Sequence, residues 1–254
     1  MGLGNVEIMS TTAAEIICQS KLSLALTGAG ISVESGIPDF RSRGGLWERF
    51  DPMEYGTISA FQANPEKVWT MFQEMEKIIR RARPNPAHKA LGRLQHMGLL
   101  HTIITQNIDN LHQEGGATSV IEYHGNSKTL SCISCNRQYR LEELGEEIPP
   151  RCTCGQILKP DVVLFGEAIP PRALRESHEL ASSCEALLVI GTSAQVAPAN
   201  TIPLIARKAG ASIIEINVEP TLLTSSVTDI FFQGRAGELV TKLADEVEGI
   251  MNQS

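Results

Sequence analysis

No apolar stretch of this chain approaches the roughly 20 residues that a helix needs to cross a bilayer, so no membrane partner is expected. The opening "MGLGNVEIMS" lacks a basic region followed by an apolar one, and a secretory leader is not expected either. It starts like a myristoylation site, but Val6 stands where that motif wants Ser or Thr. Basic runs are missing too: 22 Lys and Arg against 29 Asp and Glu leave a net charge of -7, which speaks against sequence-specific nucleic-acid binding. Internal repeats and low-complexity linkers are absent. The six cysteines are unevenly spread, four between residues 132 and 154 with Cys18 and Cys184 apart. Without a leader, clustered pairs point to metal rather than disulfides, and the expected setting is the cytoplasm. Cys18 and Cys184 read as small buried hydrophobes.

What is present is an ordinary globular composition, with 42% hydrophobic and 20% charged residues over 254 positions. That length suits one large domain, or one domain with insertions. Short apolar runs at 22–27, 101–105, 120–123, 185–191 and 211–217 read as strands, most of them apolar on both faces as buried parallel strands are. Helical patterns lie between them. Asn85 and Pro86 open one and Gly98 closes it; Pro198 opens another that runs to Gly210; Glu238 to Met251 forms a third. This alternation predicts an α/β fold, a Rossmann-like doubly wound parallel sheet made from residues 1–41, 85–125 and 159–254. Two segments interrupt it. Residues 42–84 hold both tryptophans and a helical stretch, and residues 126–158 hold the clustered cysteines. Both are expected to leave the sheet and form a smaller lobe, one as a helical module and the other as a zinc-ribbon module.

The apolar run ending at Thr27 opens into Gly28, Ala29 and Gly30, which suits close approach of backbone N–H groups to a pyrophosphate. An ordinary strand–loop turn would look the same. The third glycine of the hydride-transfer fingerprint is missing, because Val33 occupies its place. Instead the loop continues through Gly36 and Pro38 to Asp39, Phe40 and Arg41, long enough to fold over a ligand. "TQNIDNLH" follows a strand and offers Gln106, Asn107 and Asp109 to the crevice where α/β proteins bind ligands, although an Asx turn capping the next helix would use the same residues. His124, before Gly125 at another strand end, is placed to act as a general base. "GTS" (191–193), "NVEP" (217–220) and "GRAG" (234–237) follow strands or precede a helix on the same edge, where Asn217 and Glu219 could meet ribose hydroxyls. Cys132 and Cys135 form a C-x-x-C knuckle, and Cys152 and Cys154 a C-x-C pair sixteen residues on. Four thiolates close a tetrahedral Zn²⁺ site with no open position, so one structural zinc is expected; four reduced cysteines without metal are the alternative.

In this order the motifs "GAGISVESGIPDFR", "TQNID", "HG", C-x-x-C…C-x-C, "KPDVVLFGE", "GTS", "IN" and "GRAGE" resemble the sirtuin family, the NAD-dependent protein deacylases, from about residue 10 to residue 250. The resemblance implies a compact member of bacterial or archaeal type that cleaves NAD to nicotinamide and O-acetyl-ADP-ribose while freeing lysine on an acetyl-lysine protein or peptide. It implies that Gly28, Ala29, Gly30, Ser32 and Trp47 line the cofactor and that Phe40 shields the anomeric carbon once nicotinamide leaves. Asp39 and Arg41 would fix the loop, and Asp109 with the backbone beside Ile108 would hold the carboxamide. Gln106 and Asn107 would orient the nicotinamide ribose, Asn107 serving catalysis with His124. Gly191, Thr192 and Ser193 would meet phosphate, and Asn217, Val218, Glu219 and Ala236 the adenosine half. Val163, Phe165, Gly166 and Glu167 would form the strand and tunnel of the acyl-lysine. Mono-ADP-ribosyl transfer to protein and a non-catalytic NAD or ADP-ribose sensor are the alternatives; His124 speaks against the first, and the set Asn107, Asp109 and His124 against the second. A monomer is expected.

Family members that prefer succinyl or malonyl lysine carry a Tyr three residues after the tryptophan of the "VWTMF" region and an Arg three further on. Counting from Trp69, this chain has Phe72 and Met75. The expected acyl group is therefore neutral, acetyl first with longer chains admitted. Core positions of an amphipathic helix would show the same spacing.

Overall fold

In the computed structural model, which describes residues 3–42, 44–145 and 147–253 and side chains from Ser10 onward, the apolar runs become parallel strands. The strands are β1 Ser23–Thr27, β2 Thr102–Thr105, β3 Val120–Glu122, β4 Gly125–Cys132, β5 Gln138–Arg140, β6 Leu158–Val162, β7 Ala186–Ile190, β8 Ser212–Asn217 and β9 Ile230–Gln233. Six of them form one sheet in the order β3-β2-β1-β7-β8-β9, all parallel. Every residue of β1, β2 and β7 is buried, as expected where helices cover both faces. The order reverses between β1 and β7. That switch point is where loops diverge to opposite sides of a doubly wound sheet and leave a crevice.

Alternation along the strands supplies two cores. Ala25, Ile103 and Leu188 meet Ile17, Leu91, Leu94, Val240, Leu243 and Val247 on one face. Leu24, Leu26, Ile104, Leu187 and Val189 meet Tyr123, Ala181, Ile202 and Ala206 on the other. The helix expected after Asn85 spans Pro86–His96, with the Asn85 side chain accepting from the Ala87 and His88 amides and Pro86 in the first turn. The Pro198 segment opens as a short 3-10 turn, Ala199–Thr201, before the α-helix Ile202–Lys208, and the last helix spans Ala236–Met251. The helices Leu3–Gln19 and Pro171–Ala181, the edge strand β9 and the strands β4 and β5 are not among the elements expected from the sequence, and the strand expected at 162–167 lies earlier, as β6. Of the segment 1–10 read for leader and myristoylation signals, residues 1 and 2 lie outside the described residues.

The two interruptions pack together. The helical module contributes Leu46–Arg49, Pro52–Tyr55, Ile58–Ala63 and Pro65–Arg81. The cysteine segment is an antiparallel sheet of order β5-β4-β6, which starts at Gly125 and ends at Val162 and so overruns the 126–158 boundaries on both sides. Phe61, Val68, Trp69, Leu130, Cys132, Cys152, Ile157 and Leu158 share one apolar core. The Trp69 indole N–H donates to the Leu158 carbonyl at 2.8 Å. Neither module has a separate core of its own, so a change in one is felt by the other.

Candidate active site

Where β1 and β7 end, side by side, their loops touch backbone to backbone. The Gly30 amide donates to the Gly191 carbonyl at 2.8 Å and the Gly28 amide to the Ile190 carbonyl at 3.0 Å. A Cβ on Gly28 would lie 2.8 Å from the Gly191 oxygen, and one on Gly30 would lie 2.8 Å from the Gly191 Cα. Gly191 itself sits at φ +60. These glycines are needed first for packing loop on loop. Beyond them a 3-10 helix, Ala29–Ser35, turns Ser32 inward and buries it.

Ser32 belongs to a buried polar network. Its hydroxyl donates to Asp109 Oδ2 at 2.6 Å, and Asp109 Oδ1 accepts the Leu111 amide at 3.0 Å. Burial pushes the Asp109 carboxyl upward, and the Ser32 and backbone bonds oppose that shift. Asn107 donates from Nδ2 to the Gly28 carbonyl at 3.1 Å and to Ser32 Oγ at 3.2 Å. Beneath this layer His88 and His112 stack edge to face, centroids 4.9 Å apart. Burial pulls His88 down to about 4 and His112 to about 3. Both are uncharged at neutral pH, so the floor of the site carries no positive charge.

The catalytic candidate, His124, sits in the turn between β3 and β4. Its Nδ1 lies 3.1 Å from the Gln106 carbonyl. A carbonyl can only accept, so Nδ1 holds the proton and the Nε2 lone pair is available as a base. Burial lowers the His124 pKa, with the Gln106 bond opposing. Gly125, at φ +72, permits the turn; a Cβ there would run into the Asp161 carbonyl. Gln106 in turn donates from Nε2 to Thr192 Oγ1 at 3.0 Å, and Asn217 Nδ2 donates to the Thr192 carbonyl at 3.0 Å, so the loops after β2, β7 and β8 are tied at Thr192.

The long loop is shaped by Asp39, whose carboxylate accepts the Arg41 and Ser42 amides at 3.0 and 2.8 Å and the Ser42 hydroxyl at 2.5 Å. Phe40 packs on Trp47 with centroids 5.2 Å apart, and Trp47 on Phe165 at 6.3 Å. Together these loops enclose a cavity of about 950 Å³. Gly28, Ala29, Gly30, Ser32, Asp39, Phe40, Arg41, Trp47, Gln106, Asn107, Ile108, Asp109, His124, Val163, Phe165, Gly166, Glu167, Gly191, Thr192, Ser193, Asn217, Val218, Glu219 and Ala236 all line it. So do residues that sequence reasoning missed: Glu34, Gln195, Val196, Arg235 and, on the Pro65–Arg81 helix, Met71, Ile78 and Ile79. Glu34 carried a readable signal, an acid after the glycine loop. It accepts the Gly237 amide at 2.7 Å and so closes the N-terminus of the last helix over the cavity. Glu167 lines the cavity with its carboxylate already engaged: it accepts the Leu164 amide at 2.8 Å and pairs with Lys159 at 3.0 Å.

The four cysteine sulfurs of Cys132, Cys135, Cys152 and Cys154 all lie within 4.8 Å of one another. Cys132 to Cys154 and Cys135 to Cys152 are 3.5 Å apart, close to the roughly 3.8 Å edge of a tetrahedron with 2.3 Å Zn–S bonds. The short C-x-C pair therefore reaches the same centre as the longer knuckle, and the donor set fits one structural zinc. Of the two solitary cysteines, Cys184 is buried and Cys18 half-buried.

The Sir2 family model matches residues 28–198 of this chain. A protein named NAD-dependent protein deacylase 2 from Pyrobaculum aerophilum is 47% identical over 236 residues, which are 92% of this chain and 94% of the relative. Among solved structures, a Sir2 homologue in complex with ADP-ribose is 41% identical with a TM-score of 0.91, covering 96% of this chain and 98% of that one. Sir2Af2 bound to a myristoylated histone peptide is 39% identical with a TM-score of 0.83, covering 98% and 100%. The chain belongs to the Sir2 family.

Metal analysis of freshly purified protein should find about one zinc per chain. Removing it by chelation, or Cys135→Ser, should disorder the small lobe and lower activity through the core shared with the helical module. An active, zinc-free protein would overturn the assignment.

Proposed function

We propose that this chain is an NAD-dependent protein lysine deacylase that acts on acetyl-lysine in proteins or peptides, with the sheet and its helices holding NAD and the two insertions framing the acyl-lysine. The observation that carries this reading is the His124 ring, fixed by the Gln106 carbonyl at the edge of a cavity whose glycine-loop side presents Ser32, Asn107 and Asp109. NAD supplies an anomeric carbon that becomes electrophilic as nicotinamide departs. The chain's own work is to grip, align and exclude water. Asp109 and the Ile108 backbone suit a carboxamide, and Asn107 and Gln106 suit ribose hydroxyls. Phe40 and Trp47 close the site against water, which would otherwise compete with the weakly nucleophilic acyl oxygen. His124 Nε2 accepts the proton of a ribose hydroxyl, the step that commits the acyl group to transfer. Asn217, Val218, Glu219 and Ala236 suit the adenosine half, and Gly191, Thr192 and Ser193 the phosphates.

Transfer of ADP-ribose to protein would need no such base, and the placement of His124 favours deacylation. One chain supplies every wall of the cavity, so the reading takes a monomer as the working unit. Among the described residues no helix is long and apolar enough to cross a membrane; action in the cytoplasm is part of the proposal.

The acyl end of the cavity is apolar. Met71, Phe72, Met75, Ile78 and Ile79 line it, while Lys67, Lys77, Arg80 and Arg81 of the same helix do not. Residues 71 to 79 advance about 12 Å along the helix axis, which leaves room for neutral chains longer than acetyl. The myristoylated peptide bound by the related Sir2Af2 supports that. A succinyl carboxylate would be buried unpaired.

His124→Ala should retain the fold and NAD binding but lower deacylation by ~10²-fold or more, with nicotinamide exchange less affected. Because burial lowers its pKa, the wild-type base is neutral at pH 7, and its protonation should cut kcat/KM only below the ordinary imidazole range near 6.5. Deacetylation by the variant at the wild-type rate would sink the role. On matched peptides, deacetylation should exceed desuccinylation by at least ~10²-fold in kcat/KM, about 2.7 kcal/mol; equal or reversed values would defeat the acyl assignment.

A further inference from the structure

The segment "KPDVVLFGE", residues 159–167, begins with a lysine that none of the chemistry above uses. Lys159 is 7% exposed. A buried ammonium is costly unless its charge is paired and its donors are satisfied. Here both conditions are met. Nζ donates to the Pro160 carbonyl at 3.0 Å and the Val162 carbonyl at 2.8 Å, and pairs with Glu167 Oε2 at 3.0 Å. Three donors meet three acceptors, and all three acceptors belong to the segment that follows Lys159, at Pro160, Val162 and Glu167. The same Glu167 oxygen accepts the Leu164 amide at 2.8 Å, and the Glu167 amide donates to the Leu164 carbonyl at 3.0 Å. The ammonium is therefore the hub around which the segment bends.

On its other side that bend is fastened to the site. The Val163 amide donates to the carbonyl of His124 at 2.9 Å. The Phe165 amide donates to the Gly56 carbonyl at 2.9 Å, and the Phe165 carbonyl accepts from the Ile58 amide at 3.0 Å. One ion pair thus fixes a stretch joined at one point to the catalytic turn and at another to the helical module. Between them Gly166, at φ +88, lines the cavity, and among the described residues its N–H and C=O make no bond within the protein. Those are the groups an incoming extended peptide would pair with.

We propose that Lys159 and Glu167 are the positioning pair of the acyl-peptide site. Lys159 lies outside the cavity lining, and the Glu167 carboxylate at its edge is committed to Lys159 and the Leu164 amide. They hold residues 160–166 in the shape that presents the Gly166 backbone to a peptide strand and keeps Val163 bonded to His124. This rests on the deacylase reading and names the residues that set its peptide grip.

Steady-state kinetics of Lys159→Met, Glu167→Gln and the double variant test it. Each is assayed with an acetyl-lysine peptide of about ten residues and with a capped single acetyl-lysine that has no strand to pair. Lys159→Met should raise the peptide KM at least ~10-fold and Glu167→Gln ~3-fold or more, while the KM for NAD stays within about twofold. The capped acetyl-lysine should lose much less, and the double variant should be less impaired than Lys159→Met, because no carboxylate is left unpaired. If Lys159→Met does not fold, Glu167→Gln decides. An unchanged peptide KM, an equal rise in the KM for NAD, or an equal loss on both acyl substrates would overturn the positioning role. A wild-type chain that releases no lysine from the acetyl peptide would instead overturn the deacylase reading.

Discussion

Two neighbouring strands end level with each other, Thr27 beside Ile190, and the loops that leave them press together with no side chain between. The contact of Gly28 and Gly30 with Gly191 sets the height at which everything else in the site is built. Ser32 turns inward one helical turn later. Asn107 reaches the Gly28 carbonyl from the loop after β2, and Thr192, next to Gly191, receives Gln106 from that same loop and Asn217 from the end of β8. Gln106 then orients His124. A side chain at Gly191 would force apart the glycine loop and the β7 loop, and with them the wall of the cavity that both loops line. The missing third glycine has the same explanation: Val33 lies within the short helix after the loop, facing outward at 46% exposed, where no close approach is required.

The chemistry of the site depends on keeping its buried groups neutral or individually paired. His88 and His112 stay uncharged beneath it, Asp109 is held by Ser32, and His124 has one nitrogen committed and one available. The ion pair of Lys159 with Glu167, beside the proposed peptide path, is committed to backbone shape. This division gives the proposed cofactor side a polar floor and the proposed acyl side an apolar one, with Phe40, Trp47 and Phe165 between them.

Much of this was legible in the sequence. Parallel strands covered on both faces are apolar throughout, so "LSLALT" and "EALLVIG" announce themselves, and polar residues directly after such strands stand out as crevice residues. The cysteine spacing pointed to the metal site despite its short second pair, because one knuckle sits at the end of β4 and the other in the turn before β6, and the pairing of those strands, not the spacer, sets their distance. Less was readable where long-range packing decides. β9 is only four residues long, and the β4–β6 sheet alternates weakly because one side of it is filled by Trp69 and Val68 from a module more than fifty residues away. Gly191 read as a phosphate contact, and its role as the seat for Gly28 and Gly30 became visible only when the strands were neighbours. Lys159 entered only as the first letter of the "KPDVVLFGE" motif, and nothing in the sequence pointed to the burial of its ammonium within β6. Glu167, expected at the substrate, lines the cavity, and the engagement of its carboxylate by that lysine had no signal in the sequence.

The account stands most directly on one product analysis. The purified chain is incubated with NAD and an acetyl-lysine peptide, and the products are separated and weighed by mass spectrometry. Nicotinamide, free-lysine peptide and acetylated ADP-ribose should appear in equal amounts, with the acetyl group on the sugar. Free acetate with plain ADP-ribose as the initial products, or NAD cleavage at the same rate without peptide, would contradict it.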